Sequence, residues 1–207
     1  MEHLSTAALE SGLDDVRDSP RDGGTLKLIV RRPAINEREV LAEGLLDLRD
    51  GLVGDTWRQR GSTRTADGSS HPDMQLNVMN ARAALLVAAD PARRQLAGDQ
   101  LYVDLDLSTA NLPPGTRLAL GSAVIEVTVQ PHRGCAKFAA RFGLDALRLV
   151  NSPAGRELRL RGLNARVVVP GTIRPGDVIR KLPGAGPDLA LAADGEPGRA
   201  PAVAALS

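Results

Sequence analysis

The middle of the chain consists of short segments in which apolar and polar residues alternate. The clearest segment is 101–107, where leucine or valine occupies every odd position and tyrosine or aspartate every even one. A period of two is typical of a strand that buries one face. Residues 74–79 show a similar alternation. Glycine and proline separate such segments, as at 112–115, and predict tight turns between strands.

Further strands and a few helices complete the predicted fold. Asn80 is a good N-cap for a helix over 81–89, and a second helix over 135–142 is expected to end at Gly143. Many short strands with few short helices predict a mainly β domain with some α/β character, either a β-barrel or another closed, β-rich domain. The further predicted strands are 25–30, 38–48, 117–120, 123–129, 166–169 and 172–180.

The chain is expected to contain one domain between two tails. Its 207 residues exceed the typical length of about 150 residues per domain only modestly. Residues 1–23 are polar and acid-rich and predict a flexible lead-in, in which 4–13 could form a short helix. Residues 182–207 include 16 Ala, Gly or Pro and predict a disordered tail. The folded domain is therefore expected over 24–181.

Composition argues against several classes of protein. The 26 Lys and Arg balance the 25 Asp and Glu, and aromatic residues make up only 2% of the chain, which argues against a nucleic-acid partner. No apolar run approaches the roughly 18 residues of a membrane helix. Residues 1–22 lack the hydrophobic segment of a signal peptide. We therefore expect a cytoplasmic protein that binds neither nucleic acid nor membrane.

The single cysteine, Cys135, is the strongest candidate for chemistry. It follows a predicted strand and begins a predicted helix. Unpaired backbone N–H groups at a helix start stabilise a thiolate, which is the form of cysteine that acts as a nucleophile and as a metal ligand. The alternative is a small buried residue in an inert barrel that serves protein interaction. His132, three residues earlier, is a candidate to orient or deprotonate a group near the thiol, although it could equally be a surface histidine.

The chain around Cys135 is strongly basic. Residues 131–166 contain eight Lys or Arg and two acids, in a chain whose net charge is +1. A dense set of guanidinium groups suits a phosphate or a carboxylate; the alternative is a solvated basic face. The candidate anion-binding residues are Arg133, Lys137, Arg156, Arg161 and Arg166.

Several short motifs follow one another in a recognisable order. They include Gly98-Asp99-Gln100-Leu101, Gly134-Cys135-Ala136-Lys137-Phe138, Leu160-Arg161-Gly162 and Arg174-Pro175-Gly176-Asp177. In order, in spacing and in the single cysteine, the chain resembles the MOSC domain, which is named after the C-terminal domain of molybdenum cofactor sulfurases. The resemblance is dense over 98–180 and looser over 25–90. It implies a β-barrel-like domain.

The resemblance also implies a cofactor and a site. MOSC domains bind the molybdenum cofactor, a pterin that carries a dithiolene and a phosphate. On this chain, Cys135 would carry sulfur or ligate molybdenum, and a soft thiolate suits such a centre. The position of His132 near the thiol, rather than the resemblance, makes it the second predicted catalytic residue beside Cys135. The pterin's anionic part would contact Arg133, Lys137, Arg156, Arg161 and Arg166.

Two reactions are compatible with this resemblance. Some relatives reduce N-hydroxylated compounds, so the first hypothesis is an oxidoreductase with a small-molecule substrate and a separate electron-donor protein. The alternative is a non-redox carrier or sulfur-transfer module for the cofactor.

The chain also differs from other members of the family. No pyridoxal phosphate is expected, because the sequence before the resemblance is far shorter than the aminotransferase-like domain with which the sulfurases use that cofactor. One cysteine cannot hold an iron–sulfur cluster. The run 54–57 departs from the family, which usually has basic residues or histidine after Gly-Asp.

Overall fold

The protein is built mainly from short strands. The computed structural model describes residues 3–183, and eleven strands lie within that range. They are β1 (Gly24–Arg31), β2 (Glu39–Leu41), β3 (Gly44–Asp47), β4 (Gly51–Leu52), β5 (Leu76–Asn80), β6 (Leu101–Asp104), β7 (Arg117–Leu120), β8 (Ala123–Val127), β9 (Leu163–Val169), β10 (Gly171–Ile173) and β11 (Val178–Lys181).

Seven of these strands close into a barrel. Their order is β11, β7, β8, β9, β5, β6 and β1, and β1 pairs back onto β11 through Gly24 opposite Ile179 and Thr25 opposite Val178. All neighbours are antiparallel except β5 and β6, which are parallel. Strand β2 extends the sheet beside the second half of β1, and β10, β3 and β4 form a small separate sheet. The predicted mainly β, barrel-like fold is confirmed.

The barrel interior follows from the alternation in the sequence. In β8, Ala123, Ile125 and Val127 are buried while the residues between them are partly exposed. These side chains join leucines and valines from the other barrel strands in one apolar cluster. Leu101, Leu105 and similar residues are fully buried there. Removal of this surface from water is the main force that closes the barrel.

Five α-helices pack outside the barrel over the described range. They are α1 (Thr6–Ser11), α2 (Leu13–Arg17), α3 (Ala81–Ala88), α4 (Ala136–Asn151) and α5 (Pro153–Glu157). Asn80 caps α3, since its Oδ1 accepts from the backbone N–H groups of Arg82 and Ala83 at 2.8 and 3.0 Å. Helix α4 is interrupted at Gly143, where φ is 91° and ψ 165°. No described helix is both long and apolar enough to cross a membrane.

The structure corrects the expected N-terminal boundary. Residues 1–23 were expected to be a flexible lead-in, but α1 and α2 lie within them and pack on α4 and α3. Leu9 of α1 and Leu13 and Val16 of α2 are buried among the residues of those helices. Leu13 and Val16 are three positions apart and so lie on the same face of α2. The predicted tail over 182–207 lies outside the described residues, apart from Leu182 and Pro183.

Candidate functional site

The loop between β8 and α4 presents Cys135 at the start of a helix. Cys135 adopts an extended N-cap conformation (φ −130°, ψ 178°), and its exposed side chain makes no capping hydrogen bond. Asn151 anchors the loop, since the Gly134 N–H donates to its Oδ1 and the Gly134 carbonyl accepts from its Nδ2, each at 3.1 Å. The thiol is therefore accessible rather than buried in the core.

Cys135 lines a cavity of about 170 Å³, which we call the thiol cavity. Every charged residue that lines it is basic. These residues come from distant parts of the chain: the end of β1, the loops that follow it, helix α4 and the segment before β9. They are Arg32, Arg38, Arg60, Lys137, Arg141 and Arg161. Such a lining creates a positive potential that attracts anions.

A buried ion pair fixes Arg32 in this lining. Its Nε and Nη2 each donate to Asp55 at 2.7 Å, and its backbone N–H adds a bond of 3.0 Å. Its Nη1 donates to Asn77 at 3.0 Å and to the Gly98 carbonyl at 2.9 Å. Burial opposes the ionisation of Asp55, but the hydrogen bonds and charge of Arg32 outweigh it and lower the pKa of the carboxyl. Asp55 is thus the counter-ion that orients Arg32.

Arg38 and Arg141 have no such counter-ion among residues 3–183. The Nε of Arg38 is buried without a hydrogen-bond partner, and Arg141 donates to the Leu96 carbonyl at 2.7 Å. Burial lowers the pKa of the Arg38 guanidinium, and the positive charges of Arg141 and Arg32 lower it further. Arg32, Arg38 and Arg141 repel one another, so an anion bound among them would be stabilised.

A second buried ion pair holds Arg161. Its Nη1 donates to Asp99 Oδ2 at 2.6 Å, its Nη2 donates to the Ala97 carbonyl at 3.0 Å, and its guanidinium lies 5.2 Å from the centre of the Phe138 ring. The other oxygen of Asp99 lies 3.4 Å from His132 Nδ1, but neither atom makes a hydrogen bond. Burial, together with the charge of Arg161, lowers the pKa of His132 well below its ordinary value. The imidazole is therefore neutral at pH 7.

His132 lines a different cavity from Cys135. This second cavity of about 200 Å³, which we call the histidine cavity, is also lined by Arg133, Arg156 and Arg159. Arg161 lines both cavities. Of the predicted site residues other than Cys135, Lys137 and Arg161 line the thiol cavity, whereas His132, Arg133 and Arg156 line the histidine cavity.

Arg166 lies apart from both groups. It lies on β9, where its neighbours Ala165 and Val167 point into the barrel, so its own side chain points outward. There it pairs with Asp73 at 3.3 Å and with Glu126 at 2.6 Å. Nothing in the structure brings it to Cys135.

Several residues of the thiol cavity were absent from the predicted set. Arg32, Arg38 and Arg60 lie about 75 to 105 positions before Cys135, and only barrel closure brings them to it. Asp99 was part of a recognised motif, and a buried aspartate requires a cationic partner. Asp55, from the Gly-Asp pair that precedes the departure from the family at residues 56 and 57, supplies the counter-ion of Arg32. Within the described range, no three His, Cys, Asp or Glu side chains are grouped as metal ligands.

Several solved structures share this fold. YiiM from Escherichia coli aligns at 20% identity with a TM-score of 0.50, over 77% of this chain and 70% of that one. The YuaD protein from Bacillus subtilis aligns at 16% identity with a TM-score of 0.52, over 75% of this chain and 93% of that one. YiiM from Geobacillus stearothermophilus aligns at 16% identity with a TM-score of 0.50, over 78% and 74%.

The family comparison covers the part of the chain that contains the thiol. No curated protein sequence matches the chain. The model of the MOSC domain matches residues 73–180, slightly more than half of the 207 residues. That span contains Asp99, Cys135 and Arg161, together with barrel strands β5 to β9. On these grounds, this chain belongs to the MOSC-domain family.

Proposed function

We propose that the chain binds the molybdenum cofactor, with Cys135 as a ligand of the metal. The observation that carries the proposal is an exposed thiol at a cavity whose charged lining residues are all basic. A soft thiolate suits a metal centre that already carries the sulfurs of the pterin dithiolene. Because the dithiolene supplies those ligands, one protein thiolate is sufficient. Membership of the MOSC family supports the same cofactor.

The thiol cavity also suits the anionic part of the pterin. Arg38, Lys137 and Arg141 line it and form no ion pair with a carboxylate of residues 3–183. A phosphate oxygen would give the buried Nε of Arg38 the hydrogen-bond partner that it lacks. Arg32 and Arg161 are held by their own aspartates and add to the positive potential. In this proposal the cofactor phosphate binds the three unpaired bases.

The reaction that we propose is the reduction of a small N-hydroxylated compound to the corresponding amine or amidine, with release of one water molecule. When bound, the molybdenum cofactor supplies the redox chemistry. Two electrons come from a separate electron-donor protein and two protons from solvent. The residues of this chain hold the cofactor through Cys135 and the bases, and the open cavity admits a small substrate.

The exposed thiol also favours a second function. A cysteine that is accessible and makes no capping hydrogen bond can accept the outer sulfur of a donor persulfide, whose own thiol is then released, or hold a cofactor for transfer. In that case the chain is a non-redox carrier or sulfur-transfer module. The two functions share the binding step and differ in whether the chain turns over an N-hydroxylated substrate.

One preparation tests both functions. The protein is produced in a host with intact cofactor synthesis, and its molybdenum and pterin contents are measured beside those of Cys135→Ser. The exposed variant Arg166→Ala is the matched control, because it lies outside the thiol cavity. Turnover of a simple hydroxylamine or N-hydroxylated amidine with a chemical reductant supports the reductase. Bound cofactor without turnover supports the carrier, and absence of both molybdenum and pterin contradicts the binding proposal.

A further inference from the structure

The histidine cavity carries its own positive charge. Arg133, Arg156, Arg159 and Arg161 line it, and no Asp or Glu does. Only Arg161 has a carboxylate partner among the described residues, namely Asp99. Three guanidinium charges therefore remain uncompensated around a space of about 200 Å³. Burial lowers the pKa of the Arg159 guanidinium.

Backbone carbonyls, rather than acids, orient two of these guanidinium groups. Arg156 Nε donates to the Asn151 carbonyl at 2.7 Å, and Arg159 Nη1 donates to the Leu112 carbonyl at 2.7 Å. Arg159 has a left-handed backbone with φ of 47°, a conformation that is unusual for a residue other than glycine. Such outliers are concentrated at binding and active sites. Arg156 and Arg159 are thus held in place while their charge remains available to a ligand.

Several contacts hold the residue that the two cavities share. Arg161 lines both cavities, and Asp99, the Ala97 carbonyl and the Phe138 ring hold its guanidinium in one place. Its Nε and His132 Nδ1 are buried atoms without hydrogen-bond partners. The side chain of His132 is only 12% exposed. Apart from Arg161, the residues that line the histidine cavity differ from those that line the thiol cavity.

We propose that the histidine cavity binds the phosphate group of a small molecule distinct from the molybdenum cofactor. Three uncompensated guanidinium groups suit a dianion better than a singly charged carboxylate. Cys135 takes no part in this site, so binding does not require the cofactor. The proposal goes beyond the function assigned to the thiol cavity and adds a second ligand beside it.

The test is an NMR titration of the cofactor-free protein with inorganic phosphate at constant ionic strength. The backbone amide signals of Arg156 and Gly162 are expected to shift and to report binding at the histidine cavity. Those of Lys137 and Arg141 report separately on phosphate that enters the empty thiol cavity. Acetate at the same concentrations is expected to cause much smaller shifts. In Arg133→Ala/Arg156→Ala, we expect the affinity to fall about tenfold or more, since hydrogen bonds to charged groups are lost.

Two control variants keep the test specific. Arg166→Ala removes an exposed arginine outside the cavity, and Cys135→Ser changes the thiol; neither is expected to alter phosphate affinity. Unchanged affinity in the double variant would overturn the proposal, as would shifts confined to the thiol cavity or equal shifts with acetate. Melting temperatures of all variants show that each is folded.

A second titration separates the two sources of phosphate. Protein isolated with the cofactor bound should still bind inorganic phosphate at the histidine cavity. If loading abolishes those shifts, the cavity holds the phosphate of the cofactor and the proposal of a second ligand is wrong. The titration of the cofactor-free protein remains interpretable even if the chain binds no molybdenum, so failure of one proposal is distinguishable from failure of the other.

Discussion

Replacement of Asp55 by alanine should strongly destabilise the protein. The Asp55 side chain is fully buried and that of Arg32 is 5% exposed, and two bonds of 2.7 Å join them. Asp55→Ala leaves a buried guanidinium without its counter-ion, which costs about 3–5 kcal/mol in comparable pairs. It also removes the carboxylate that caps the turn at Trp57, bonded to its N–H at 2.8 Å, for a loss of about 1 kcal/mol. We therefore expect a loss of about 4–6 kcal/mol in the free energy of unfolding.

The control for this prediction removes both charges. In Arg32→Met/Asp55→Ala no unpaired cation remains in the interior, so most of the ion-pair loss should be recovered. Urea unfolding followed by circular dichroism gives the free energy for the parent, the single variant and the double variant. If the double variant is as unstable as Asp55→Ala, or if Asp55→Ala loses less than about 1 kcal/mol, the penalty assigned to an unpaired Arg32 is refuted.

Three further predictions concern other parts of the molecule. His132 has a lowered pKa in the folded state, so as pH falls below 6.5 only the unfolded chain takes up its proton; stability should fall by up to about 1.4 kcal/mol per pH unit. The urea midpoint of the parent should therefore fall between pH 7 and 5, and the part of this fall that is due to His132 should be absent from His132→Asn. Arg166→Ala should cost less than about 1 kcal/mol, because its ion pairs are 47% exposed on the arginine side; a larger loss in urea unfolding would contradict this. Gly162→Ala should cost about 2 kcal/mol or more, since φ is +99° and a Cβ would lie 2.3 Å from the Val78 carbonyl oxygen; an unchanged melting temperature would disprove the strain.

The individual strands of the barrel could be predicted from the sequence because the signal of each strand is local. Alternation and turn residues mark most strands, and Asn80 and Gly143 mark where helices begin or break. Residues 38–48 were predicted as one strand but form β2 and β3, which belong to different sheets. The strands with which they pair divide this segment: β2 pairs with β1, and β3 pairs with β10, which lies far away along the chain. Helices α1 and α2 have only 6 and 5 residues. Each therefore contains too few apolar residues to predict a packed helix within a polar, acid-rich segment.

Among the residues that line the thiol cavity, the sequence singled out Cys135, Lys137 and Arg161, all of which lie in the basic stretch 131–166. The position of Cys135 before a helix and the presence of Lys137 follow from one short motif. Arg32 and Arg38 reach the thiol cavity through barrel closure, which no local pattern encodes. The outward direction of Arg166 could have been predicted, since strand alternation places it opposite Ala165 and Val167. The separation of His132 from the thiol depends on the buried contact with Asp99, which the sequence alone does not specify.

The most direct test of the central claim is X-ray absorption spectroscopy at the molybdenum edge of the cofactor-loaded protein. If Cys135 ligates the metal, the parent should show one more sulfur neighbour than Cys135→Ser, beyond the dithiolene sulfurs that both share. The loaded Arg166→Ala variant should give the spectrum of the parent. The same sulfur count in the parent and in Cys135→Ser would contradict the assignment of Cys135 as the metal ligand.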